Sequence, residues 1–133
     1  MYFEDEFMDK QSEIISLYKE AASAKSELLY VYIYNDDSQS LIVSAYRVED
    51  KVVVNVEAGV SDEIDDKIYD IITEEIMPEL NEICQRYNRE IPVVFKYTYN
   101  LKTGSFDSEY LYAKDVDEDY ECGAEALKWI KSR

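Results

Sequence analysis

The chain has 133 residues, 47% of them hydrophobic, with only 3 glycines and 2 prolines. It is long enough to bury a core without disulfide or metal staples, and too aromatic for a disordered acidic tail. Its 30 acidic and 14 basic residues leave a net charge of −16, which repels phosphate backbones and anionic lipid headgroups and attracts a basic protein, so nucleic acid and membrane are poor direct partners.

From Tyr2 to about Ala24 the apolar residues Phe3, Phe7, Ile14, Tyr18 and Ala21 recur at helical spacing and predict a first amphipathic helix. Runs of β-branched and aromatic residues follow, from Leu28 to Tyr34, Leu41 to Tyr46 and Lys51 to Glu57. The short polar breaks between them predict a three-stranded antiparallel meander. Gly59 interrupts the pattern, and Ser61 is placed to cap a second helix that runs to Asn88, with Asp62 and Glu63 at the positive end of its dipole. Pro78 lies inside that run and lacks a backbone donor, which predicts a kink or break near Met77.

Two more strands are predicted from Pro92 to Tyr99 and from Ser105 to Tyr112, with Gly104 taking the left-handed position in the loop between them. After the acidic stretch Asp115 to Glu121, the segment from Ala124 to Ile130 reads as a closing helix. The order α-βββ-α-ββ-α predicts one α+β domain over residues 1–133. Its core is one antiparallel sheet of about five strands with the helices largely on one face.

No histidine is present, so the commonest general base, the usual triad partner and the commonest metal ligand are missing together. Neither a Walker loop nor a dinucleotide fingerprint occurs. Asp115 to Asp119 imitates the opening of a calcium loop, but Tyr120 and Ala126 stand where that loop needs glycine and a bidentate glutamate. The expectation is a protein that is not an enzyme and holds neither metal nor cofactor. Cys84 and Cys122 are read as free thiols, and the acidic first residues with no membrane-length apolar run give a cytoplasmic reading.

Thirteen tyrosines are the most informative feature. In the first strand Leu29, Val31 and Ile33 share one face, leaving Tyr30, Tyr32 and Tyr34 on the other. If the helices cover the aliphatic face, a row of phenols stays open, and tyrosine supplies rigid contact area with a hydroxyl at protein interfaces. Buried under a helix or crossing loop, the same rings would instead be core. Strand period alone leaves both readings open, and Tyr97 and Tyr99 share a side with Val93 and Phe95. The candidate partner-binding set is therefore Tyr30, Tyr32, Tyr34, Tyr97, Tyr99, Tyr110 and Tyr112, edged by Asp36, Asp37, Asp115, Asp117, Glu118 and Asp119.

Glu27-Leu28-Leu29-Tyr30-Val31-Tyr32 at the opening of the meander, the long acidic helix, and Tyr97-Thr98-Tyr99-Asn100-Leu101-Lys102-Thr103-Gly104-Ser105-Phe106-Asp107 resemble the YezG-type antitoxins. These are immunity proteins that neutralise nuclease toxins delivered between bacteria. The resemblance spans the first strand to Tyr112 and implies an antitoxin that binds a basic toxin domain of nuclease type. Two other readings stay open: an acidic adaptor that homodimerises through the tyrosine face, and a hydrolase built on the acid clusters at Asp62 to Asp66 and Asp115 to Glu121.

Overall fold

Residues 2–22, 25–54 and 60–133 are described in a computed structural model. The sheet has five antiparallel strands in the order β3-β2-β1-β4-β5. They are β1 (Ser26–Asn35), β2 (Ser40–Val48), β3 (Lys51–Val54), β4 (Val94–Asn100) and β5 (Phe106–Leu111). The helices are α1 (Phe3–Ala21), α2 (Asp62–Ile71), α3 (Met77–Arg86) and α4 (Cys122–Lys131). This is the predicted α+β fold in the predicted element order. Residues 55–57 of the expected third strand, and Gly59, lie outside the described residues.

β1 is central, and every residue from Leu29 to Tyr34 is buried because both faces of this strand are covered. On one face Leu29, Val31 and Ile33 join Tyr46, Phe95 and Tyr97 against Phe7, Ile14, Ile15 and Tyr18 of α1 and against Ile68, Ile72, Ile76 and Leu80 of the long helix. The buried positions of α1 recur every three or four residues, the stripe a helix needs to lie on a sheet. Lys10 of α1 pairs with Glu13 and Glu79, and Glu6 meets Arg86 and Tyr87, so ion pairs at the rim tie α1 to α3.

Ser61 caps α2 as its sequence position predicts, its hydroxyl accepting the Ile64 N–H at 3.2 Å. Pro78 does not break the helix. The turn Ile72–Ile76 widens to π geometry, and Met77 donates its N–H to the Ile72 carbonyl five residues back. That widening makes room for a proline ring that would otherwise collide with the carbonyl four residues before it. Just beyond the end of α3, Asn88 takes the left-handed conformation (φ 56°), and the Arg89 N–H donates to the Cys84 carbonyl at 2.8 Å.

Tight turns set the strand register. Glu49 and Asp50 both have positive φ (52° and 67°) between Val48 and its partner Lys51, a two-residue turn whose twist matches the flanking strands. In the β4–β5 hairpin Gly104 has φ +80° as expected, and the Asn100 side chain accepts from the N–H groups of Lys102 and Thr103. After β5 a single helical turn (Ala113–Asp115) swings the chain across to α4 on the second face of the sheet.

Candidate partner-binding surface

α4 decides what the tyrosine row can do. Ala126, Trp129 and Ile130 lie over Tyr30, Tyr32, Ala45 and Val94. The Trp129 ring stands edge-on to Tyr30 at a centroid distance of 6.2 Å and tilted against Tyr32 at 6.2 Å. Tyr30, Tyr32 and Tyr34 are therefore 3%, 0% and 8% exposed, which overturns the expected open row of phenols. The aliphatic and phenolic faces of β1 each have helices of their own. An apolar aromatic face was not left to solvent, because a ten-residue helix with a stripe at 126, 129 and 130 was available to cover it.

Polar atoms of these rings are satisfied locally. The Tyr32 hydroxyl meets that of Tyr120, and burial followed by that contact pushes the Tyr32 phenol well above its ordinary range. Tyr120 also stacks on Tyr34 with centroids 5.9 Å apart. The Tyr34 hydroxyl donates to Asp36 Oδ2 at 2.6 Å, while Asp36 Oδ1 accepts from Ser38 and Gln39 in the β1–β2 turn. Asp36 is thus a turn-closing residue rather than a free contact group. Tyr34 first, and then these N–H donors, lower its carboxyl from 3.8 to about 2, and Asp36 in return pushes the Tyr34 phenol up to about 12.

A lowered carboxyl stabilises the fold above its unfolded value and loses that contribution as pH falls through the folded one. Asp36→Ala should therefore cost about 1 kcal/mol near neutral pH, as for loss of a capping acceptor. Urea unfolding of both proteins should show the difference shrinking as pH drops from 3.8 toward about 2. A gap constant across that window would contradict the assigned role.

The remaining candidates divide. Tyr97 is fully buried on the α1 face and donates to Gln11 Oε1 at 2.7 Å; burial raises its phenol well above the ordinary value. Tyr110 reaches the same Gln11 oxygen at 3.1 Å. Tyr97 is removed from the candidate surface by the helix lying over it. Tyr99, Tyr110 and Tyr112 are half-buried, with Lys19 lying over the Tyr99 ring. Asp115 Oδ2 accepts the Tyr112 N–H, and Asp117 Oδ1 accepts the Asp119 N–H, so both shape the crossing segment. Asp37, Glu118 and Asp119 are exposed. The Tyr34–Tyr120 stack places the β1–β2 turn beside this acidic segment. A groove of about 570 Å³ beside the turn has both apolar residues, Pro78, Ile91 and Val93 among them, and the acids Asp36, Asp37 and Glu90 in its lining.

A further run of exposed acids lies on the long helix, where the sequence set Asp62 to Asp66 apart only as an acid cluster for a hydrolase and not as a partner-binding surface. From Asp62 to Arg86 the long helix carries Asp62, Glu63, Asp65, Asp66, Asp70, Glu74, Glu75, Glu79 and Glu82 against only Lys67 and Arg86. All nine acids except Asp65 are exposed, since Ile68, Ile72, Ile76, Leu80 and Ile83 occupy the buried stripe. Helical spacing of the acids against these apolar positions was the available signal. Among the described residues no group of three or more His, Cys, Asp or Glu is arranged to hold a metal ion, and no helix is long and apolar enough to cross a membrane. The chain matches no protein-family model, and a search of curated proteins finds no match.

Proposed function

We propose that this chain is an immunity protein that binds and neutralises a basic toxin domain of nuclease type by covering it with an acidic surface. The observation that carries the reading is the outer side of the α2–α3 helix, where eight exposed carboxylates, one of them Glu79 paired with Lys10 of α1, stand against two bases on one helical run. Carboxylates at helical spacing present negative charge much as a nucleic-acid backbone does, and a groove that binds phosphate is positively charged. The acids of the β1–β2 turn and of the segment before α4 extend the field to a second side of the molecule. Such a field speeds encounter and selects against acidic partners. The nuclease class of the partner rests on the family resemblance of β1 and the β4–β5 hairpin.

Co-purification of the tagged chain from its native host, with identification of what accompanies it, tests the reading. A basic protein should be recovered. Its association rate should fall at least about tenfold from low salt to about 0.5 M, with the dissociation rate changing far less. Recovery of a neutral or acidic partner, or an association rate indifferent to salt, would overturn it.

A further inference from the structure

The β5 edge of the sheet carries information that the charged helix does not. β5 is an outermost strand. The Asn100 N–H donates to the Ser105 carbonyl at 2.8 Å, and the register runs on from Tyr99 opposite Phe106 to Val94 opposite Leu111. Alternate residues of an antiparallel ladder bond inward, so Asp107, Glu109 and Leu111 turn their N–H and C=O groups toward β4, while Phe106, Ser108 and Tyr110 turn theirs outward. Among the described residues no backbone group meets those outward groups. An edge of this kind is a template for one more strand.

Side chains determine which strand it accepts. Toward the α4 face β5 presents Asp107 and Glu109, both exposed. Toward the α1 face it presents Phe106, Ser108 and Tyr110 beside a cleft of about 320 Å³ lined by Phe3, Phe7, Met8 and Tyr112, with Glu4 and Arg89 also in its lining and the Arg89 guanidinium held over the Phe3 ring. A second copy is a poor occupant. Pairing two β5 strands antiparallel about Ser108 sets Asp107 of each opposite Glu109 of the other, and like charges directly opposed across a ladder are destabilising. A strand with lysine or arginine at two alternate positions and an apolar residue between them makes both pairs attractive and lowers its apolar side chain over the aromatic cleft.

The geometry points to β5 as a docking edge for an extended basic segment of the partner, a basic-apolar-basic strand that continues the sheet. This assignment rests on the reading that the partner is basic, and it locates a part of that partner which the acidic helix cannot specify.

The probes are synthetic peptides of about ten residues, the length of an ordinary to long strand. One alternates lysine with valine, one alternates glutamate with valine, and a third is the lysine–valine peptide N-methylated at its valine amides, the ones that face the outward groups of β5 when lysine lies opposite Asp107 and Glu109. The lysine–valine peptide should slow hydrogen exchange at Phe106, Ser108 and Tyr110 at least about tenfold, because their N–H groups become hydrogen-bonded. N-methylation should weaken binding at least about tenfold, as should Ser108→Pro, which removes an outward donor and leaves the inward ladder intact. Asp107→Lys with Glu109→Lys should reverse the preference toward the glutamate–valine peptide.

Equal binding of the methylated peptide, or protection confined to the α2–α3 helix, would overturn the assignment. Should Ser108→Pro lose its native circular dichroism, exchange protection in the unaltered protein decides alone. If co-purification recovers no basic protein, the proposed function fails while the peptide result stands. If it recovers one whose binding survives Ser108→Pro in a folded variant, the edge assignment fails and the function stands.

Discussion

Replacing Tyr32 by alanine should lower the unfolding free energy by about 3–5 kcal/mol, as for other aromatic truncations in close-packed cores. The ring is fully buried and packs with Val94, Ala126 and Trp129 beneath α4, so its truncation leaves a cavity at the seat of that helix. Tyr32→Phe keeps the packing and removes only the contact with the Tyr120 hydroxyl, so it should cost about 0.5–1.5 kcal/mol. Partner affinity per folded molecule should stay normal in both variants. Urea midpoints with affinity measured below the transition check this. A stable alanine variant that binds poorly would show that the α4 face opens to a partner, contrary to the packing described above.

Charge reversal on the long helix should act in the opposite way, slowing association while leaving the fold as stable or more so. Asp66→Lys combined with Glu74→Lys changes two exposed carboxylates on the helix that carries the strongest part of the field. The association rate at low salt should fall at least about tenfold, the order expected when steering charges are reversed. In the native helix Asp62, Asp66 and Asp70 repel one another at four-residue spacing. A lysine at position 66 turns both repulsions into attractions, each about 0.2–0.5 kcal/mol. Stopped-flow association and urea unfolding of one variant therefore give readouts of opposite sign. An unchanged association rate would remove this helix from the interface, and a large loss of stability would mean that the carboxylates serve the fold.

Element type and order were legible because each element is locally consistent. The 3–4 spacing of Phe7, Ile14 and Tyr18, the alternation through β1, the Ser61 cap and the Gly104 turn are all properties of short windows, and the structure places each as its window predicts. The effect of Pro78 was legible in location only. A missing donor announces a fault in the hydrogen-bond ladder, but whether the helix breaks or widens depends on whether its apolar stripe stays buried on both sides, and Ile72, Ile76 and Leu80 all do.

Which tyrosines are core was decided only by tertiary structure. The two-residue period of β1 separates Tyr30, Tyr32 and Tyr34 from Leu29, Val31 and Ile33 but carries no information about what lies on either face. That depends on the route of the chain from Leu111 to Cys122, through the turn at Ala113–Asp115 and the Tyr34–Tyr120 stack, which delivers α4 to the phenolic side. The same route makes Asp36 a turn-closing group and leaves Asp37, Glu118 and Asp119 at the surface. Sequence alone determined the net charge and its concentration on the long helix, since charge is a sum over residues and helical period assigns each acid to a side. Exposure of a ring is a property of pairs of elements distant in the chain, and only their packing fixes it.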